Sequence, residues 1–183
     1  MVVKLSRAQL SRLGIVLEGE RGAGVHLEHG PWTCAFVAAT DHPVRSKSNF
    51  RRGSRLGQRW GQVVEFEDHI RQLLGRCIPE DWPYAGLEVG FKDRPKVVGF
   101  AYARAILDVA NLPKSLYDAA EGVVYANDAS VAAEASYISR ARVNPLLVVG
   151  FAALEPSAGV EEVHAAMNEL GPQVLGLAAL LQC

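Results

Sequence analysis

One stretch, Tyr84–Val131, constrains the fold more than any other, because its patterning changes character along its length. Ala85–Phe91 sets Leu87, Val89 and Phe91 on alternate positions, the pattern of a half-buried strand. Lys92–Lys96 reads as a turn and Val98–Asn111 as a helix. Leu112–Gly122 reads as a loop, and Val123–Ala126 as a further strand leading into Asn127 and Asp128. Strand–helix–strand order implies an α/β (α+β) domain, a small mixed sheet packed by two or three helices.

The flanking chain is consistent with that class. Ser6–Leu13, with Leu5, Leu10 and Leu13 among polar residues, suggests a short helix stopped by Gly14. Ile15–Glu20 and Gly24–Glu28 form a hairpin pattern with its turn at Gly22–Gly24. Trp32–Ala38 reads as a strand. Val63, Phe66, Ile70 and Leu73 make one helical stripe. Ala129–Ser139 alternates only loosely and fits either strand or helix, whereas Leu146–Leu154 reads as a buried strand. Val160, Val163, Met167 and Leu170 mark a helix ended by Gly171-Pro172. Val174–Leu181 is then an apolar last strand or helix.

A chain of 183 residues that is 49% hydrophobic can bury one domain-sized core. Its net charge of −1 does not announce a polyanion binder, so any such role rests on local clustering. Cys34, Cys77 and Cys183 are widely spaced and odd in number, which argues against a disulfide framework and for a reducing, cytoplasmic setting. Met1–Gly14 has no apolar core of a signal peptide. The apolar runs near Leu146–Leu154 and Val174–Leu181 are too short to cross a bilayer, so no membrane partner is expected.

Local chemistry is sparse. On a strand, His26 and His29 would point to opposite faces, so they do not make a metal pair. Nothing in the sequence pairs His42 with His69, and His164 falls on the polar side of a helix. Cys34 lies in a strand pattern and reads as a buried, inert thiol rather than a nucleophile. The glycines of Gly19–Gly24 lack the Lys-Ser/Thr of a phosphate loop. The strongest local signal is Val44–Trp60, which holds six basic residues and no acid. Arg45, Lys47, Asn49, Arg51, Arg52, Arg55 and Arg59 are the candidate nucleic-acid contacts on an exposed basic loop, with Phe50 and Trp60 as stacking groups.

Read together, Ser46–Arg52, Asp93-Arg94, Arg104-Ala-Ile-Leu-Asp108 and Asn127-Asp128-Ala-Ser130-Val131 resemble, in order, the motifs of the RusA-type Holliday-junction resolvases. The likeness runs over about residues 31–154, leaving 1–30 as an N-terminal extension and 155–183 as a C-terminal helix and tail packed on the same domain. It implies a homodimer that binds branched or duplex DNA and a Mg²⁺-dependent endonuclease site. It also implies catalytic roles for Asp128 and Arg104, and Asp128 with Asp93 as metal ligands. The sequence departs from the family where chemistry matters: Val98 and Phe100 replace two metal-binding aspartates, Ala101 an asparagine, and Arg104 a lysine. Neither Val98 nor Phe100 can ligate Mg²⁺. Asp108, four residues after Arg104, would pair with it along one helix face. The expected function is DNA binding with nuclease activity lost or weakened. The alternatives are an active endonuclease using Asp128 and a relocated carboxylate, and an interaction module keeping only the scaffold.

Overall fold

Every residue of Leu146–Leu154 is buried, and that strand explains the layering. A strand with no polar face must be covered on both sides. The computed structural model describes residues 15–16, 22–45, 56–83, 93–106, 111–141 and 144–182. In chain order these form β1 (Ile15–Val16), β2 (Gly22–His26), β3 (Cys34–Thr40), α1 (Leu56–Cys77), β4 (Lys96–Arg104), α2 (Leu112–Ala120), a 3₁₀ turn (Asp128–Ser130), β5 (Val131–Ser139), β6 (Leu146–Leu154) and α3 (Val160–Gln182). The mixed α+β class expected from the sequence is the class observed.

The described strands make one sheet in the order β1-β2-β3-β6-β4-β5. β6 sits at its centre, antiparallel to both β3 and β4, and β4 is parallel to β5. β3, β4 and β5 therefore run the same way. One face packs under α1 and α2, through Phe36, Phe66, Ile70, Leu116 and Phe151. The other packs under α3, through Val37, Val98, Val148, Leu170 and Val174. The stripe Val63, Phe66, Ile70, Leu73 is buried as its spacing implies. Trp82 locks the lower end of the first layer: its ring meets Phe36 edge-on at 5.1 Å and its indole N–H donates to the Val124 carbonyl at 2.8 Å. Because β2 pairs with β3 and α3 packs on one face of the sheet, these elements outside residues 31–154 contribute to the same sheet and core.

Several expectations are corrected. Val98–Arg104 is strand, not helix. Val97, Ala101 and Ala103 face α1 and α2 while Val98, Phe100 and Tyr102 face α3. Both faces are apolar, so the two-residue period leaves no trace in hydrophobicity. Leu112–Ala120 is helix, not loop, with Pro113 in its first turn, where a missing N–H costs nothing. Val123–Ala126 is a turn closed by the Glu121–Tyr125 bridge rather than a strand. Gly22–Gly24 is part of β2, not a turn. Gly24 is in the strand because a side chain there would run into Cys77 of α1. Ala129–Ser139 resolves as strand from Val131. α3 continues through Gly171-Pro172 to Gln182, and Val160 at its start is 86% exposed. The basic run turns helical at Leu56, so only its earlier part is left as a candidate loop. The helix expected over Ser6–Leu13 and the strand expected over Ala85–Phe91 lie outside the described residues.

Candidate nucleic-acid interface

The shared direction of β3, β4 and β5 sorts the candidate residues to two ends of the sheet. Thr40 at the end of β3 is opposite Leu147, Leu147 is opposite Ala103, and Arg104 at the end of β4 is level with Ser139 of β5. Arg45 follows β3, Arg104 closes β4 and Arg140 follows β5, so all three lie at the carboxyl end of these strands. Arg45 and Arg140 are exposed and Arg104 is half-buried. Among the described residues the exposed Asp41 shares this end, and Glu65, Glu67 and Asp68 lie on α1 close by, just before His69. Lys47, Asn49, Arg51, Arg52 and Arg55 lie outside the described residues. The chain that carries them leaves this end after Arg45 and re-enters at Leu56, and Arg59 falls on the first turn of α1.

Two helices begin at the same end. His69 of α1 meets Thr40, while Cys77, two turns later, lies beside Gly24 and His26. The turns before His69 therefore run out past the end of β3, carrying Trp60, which is 51% exposed. α2 follows the end of β4 and returns to the start of β5. Asn111 at its N-cap makes no side-chain capping bond. α2 directs its partial positive end this way, whereas the start of α1 lies about 20 Å beyond its contact at Thr40.

A further group at this end escapes sequence reasoning. The His42 and His69 rings stack at 4.3 Å and 20°, the Thr40 hydroxyl bonds His69 Nε2 at 2.9 Å, and the His42 backbone N–H donates to the same hydroxyl at 3.1 Å. The expectation that nothing pairs these histidines is thus overturned. They are far apart in sequence, and only the docking of α1 on β3 joins them, so no local signal existed.

The two candidate metal-site acids lie elsewhere. Asp93 and Asp128, both exposed, precede β4 and β5 by three residues each, at the amino end of those strands. From Val97 to Arg104 the strand covers about 23 Å at ~3.3 Å per residue. Arg104 and Asp128 therefore cannot act on one phosphate, and the structure does not bring this expected catalytic pair together. Arg104 is on a strand, so the helical pairing with Asp108 does not form; Asp108 itself lies outside the described residues. Val98 is fully buried in mid-strand, facing α3. The strand continues from Val98 through Arg104, so no helix begins at Val98. Among the described residues no group of three or more His, Cys, Asp or Glu side chains is arranged to hold a metal ion. Among the described residues, Asp93 and Asp128 share one end of the sheet, and Val98 and Phe100 on β4 supply no further ligand beside them.

Two smaller readings are refined. His26 is strand-borne and its ring Nε2 bonds the Cys77 carbonyl at 3.1 Å. Cys34 is partly exposed rather than buried, but its thiol donates to Asp81 Oδ1 at 3.6 Å. Burial, reinforced by the Asp81 charge, pushes that thiol up to about 11, so it is inert near neutrality.

No family model matches the chain, and neither does any curated protein. Among the described residues no helix is long and apolar enough to cross a membrane.

Proposed function

We propose that this protein binds nucleic acid, without cutting it, through the carboxyl end of β3, β4 and β5. The observation that carries the reading is the convergence of Arg45, Arg104 and Arg140 at one end of the sheet, where the basic chain 46–55 also leaves and returns. In open α/β sheets that end is where ligands bind. Cations supply affinity through phosphate contacts, and the exposed Trp60 ring is suited to stacking on an unpaired base. DNA, branched or duplex, is the class that the sequence resemblance favours, and a homodimer would present two such ends.

Loss of nuclease chemistry belongs to the same reading. The two candidate acids are separated from the arginines by the length of the sheet, and the positions that would carry further acids are filled by Val98 and Phe100. The test is a fluorescence-anisotropy titration of the protein into labelled four-way-junction and duplex DNA, repeated over a salt series. Binding at low salt that weakens linearly with log salt is expected. No binding at low salt to either DNA overturns the proposal. DNA cleavage with added Mg²⁺ that disappears in Asp128→Asn would instead favour the endonuclease.

A further inference from the structure

Two tyrosine rings stand beside the arginine end of the sheet, on the face away from α1 and α2. Tyr102 of β4 and Tyr137 of β5 are side by side in the parallel pair, and their rings stack at 5.7 Å and 13°. The inner ring, Tyr102, is 5% exposed and belongs to the apolar layer under α3, whereas the outer ring, Tyr137, is 55% exposed. Three placements account for that contrast. β5 is the last strand in the sheet order, so among the described residues no strand flanks Tyr137 on its outer side. α3 lies across the preceding row, with Gly171 against the Phe100 ring and Val174 against Gly150, the residue paired with Phe100. Tyr102 and Tyr137 are one step further along, on the arginine side of the helix. The positions of β5 that share the face of Tyr137 (Ala133, Ala135 and Ser139) are small and leave its ring standing above them.

We propose that the outward face of Tyr137 stacks on an unpaired nucleobase while Arg104 and Arg140 hold the adjoining phosphates, so that the protein takes single-stranded nucleic acid in preference to duplex. This site depends on the phosphate-binding reading of the same end of the sheet and specifies the form of nucleic acid bound there. The ring is pre-oriented. Tyr102 packs one of its faces and the other is directed past the sheet edge, so little ordering is left to be lost on binding. The cations are in register with it. Arg104 follows Tyr102 by two residues, on the same face of β4 and about 7 Å further along, level with Ser139. Arg140, exposed, follows Tyr137 by three residues, about 10 Å along the chain. A stacking ring beside backbone-neutralising cations is the combination that binds single strands whatever their sequence. Acidic repulsion is kept away from the ring. Glu134, the one acid of β5, is opposite Gly99, whose open side meets Tyr117 of α2, so it lies on the other face of the sheet. A base inside a duplex has both faces taken by its neighbours in the stack and must be unstacked before Tyr137 can receive it.

Fluorescence anisotropy at low salt, with a short labelled oligothymidylate and a labelled duplex of the same length, tests this. The native protein should bind the single strand more tightly than the duplex. Tyr137→Leu keeps an apolar side chain over Tyr102 but removes the stacking face. It should weaken single-strand binding about fivefold or more and change duplex binding by less than about twofold. Tyr137→Phe keeps the face and should bind both probes as the native protein does. Because both probes are read on one variant, a loss of folding lowers both affinities and cannot mimic the split. Equal loss on both probes overturns the proposal, as does no loss on either. So does a loss in Tyr137→Phe as large as in Tyr137→Leu, because the hydroxyl and not the ring face is then the contact. Each of these leaves the phosphate-binding reading standing. Binding of neither probe by the native protein overturns that reading and the Tyr137 site with it.

Discussion

At the scale of single residues, a buried hydroxyl on α2 makes a direct prediction about stability. The Tyr117 hydroxyl is buried with no hydrogen-bond partner, pressed against Gly99 of β4, although the Tyr117 carbonyl accepts from Tyr125 at 2.7 Å. Deleting an unpaired hydroxyl loses no bond and removes a desolvation cost of about 1 kcal/mol or more. Tyr117→Phe should leave stability unchanged or raise it by up to about 1 kcal/mol in a urea melt. Gly99→Ala should do the reverse, because its new methyl runs into that hydroxyl; a loss of about 1–3 kcal/mol is expected. Cys34 gives a pH signature. Its thiol is raised from 9.0 to about 11, first by burial and then by Asp81. Between those values the folded state holds a proton that the unfolded state has lost, so stability is full below pH 9 and falls as pH rises towards 11. Alkylation of Cys34 at pH 8 should be far slower than for an ordinary thiol and should accelerate in Asp81→Asn. Equal rates in the two proteins would contradict this assignment.

At the scale of elements, β4 carries the reinterpretation. Restoring an acid with Val98→Asp would recreate the family pattern on paper. In the structure it buries a carboxylate in the apolar layer under α3. The expected outcome is a loss of about 3 kcal/mol or more, seen as a lowered melting temperature, and no gain of Mg²⁺ binding. β4 and α2 also show why the sequence was only partly legible. α1 was plain, since one face is apolar and the other is wet. β6 was plain, since nothing but a doubly covered strand is apolar throughout at that length. β4 was not, because Val97–Arg104 is apolar on both faces and runs straight into further apolar residues, so its length imitates a helix. Asn111 and Pro113 stand at the start of α2, where a proline in the first turn costs no hydrogen bond. The sequence does not reveal the extent of α3 because Pro172 reads as a stop, yet Pro172 lies exposed inside a continuous helix.

At the scale of the molecule, topology decides which candidates act together. The basic run was visible as composition, but its companions Arg104 and Arg140 become so only through the parallel order of β3, β4 and β5. The stacked His42 and His69 were beyond reach for the same reason: long-range packing, not local pattern, makes them neighbours. Conversely, the sheet pulls apart Arg104 and Asp128, which the resemblance had joined. The account's central claim is that one end of this sheet is a phosphate-binding surface. Its most direct test is the salt-dependence of DNA affinity for the native protein and for Arg45→Ala/Arg104→Ala/Arg140→Ala, with Asp93→Asn/Asp128→Asn as the control at the other end. The account predicts that the triple variant binds about tenfold or more weakly and that its log–log salt slope shrinks by about 2 to 3, while the control binds at least as well as native. An unchanged affinity and slope in the triple variant would contradict it.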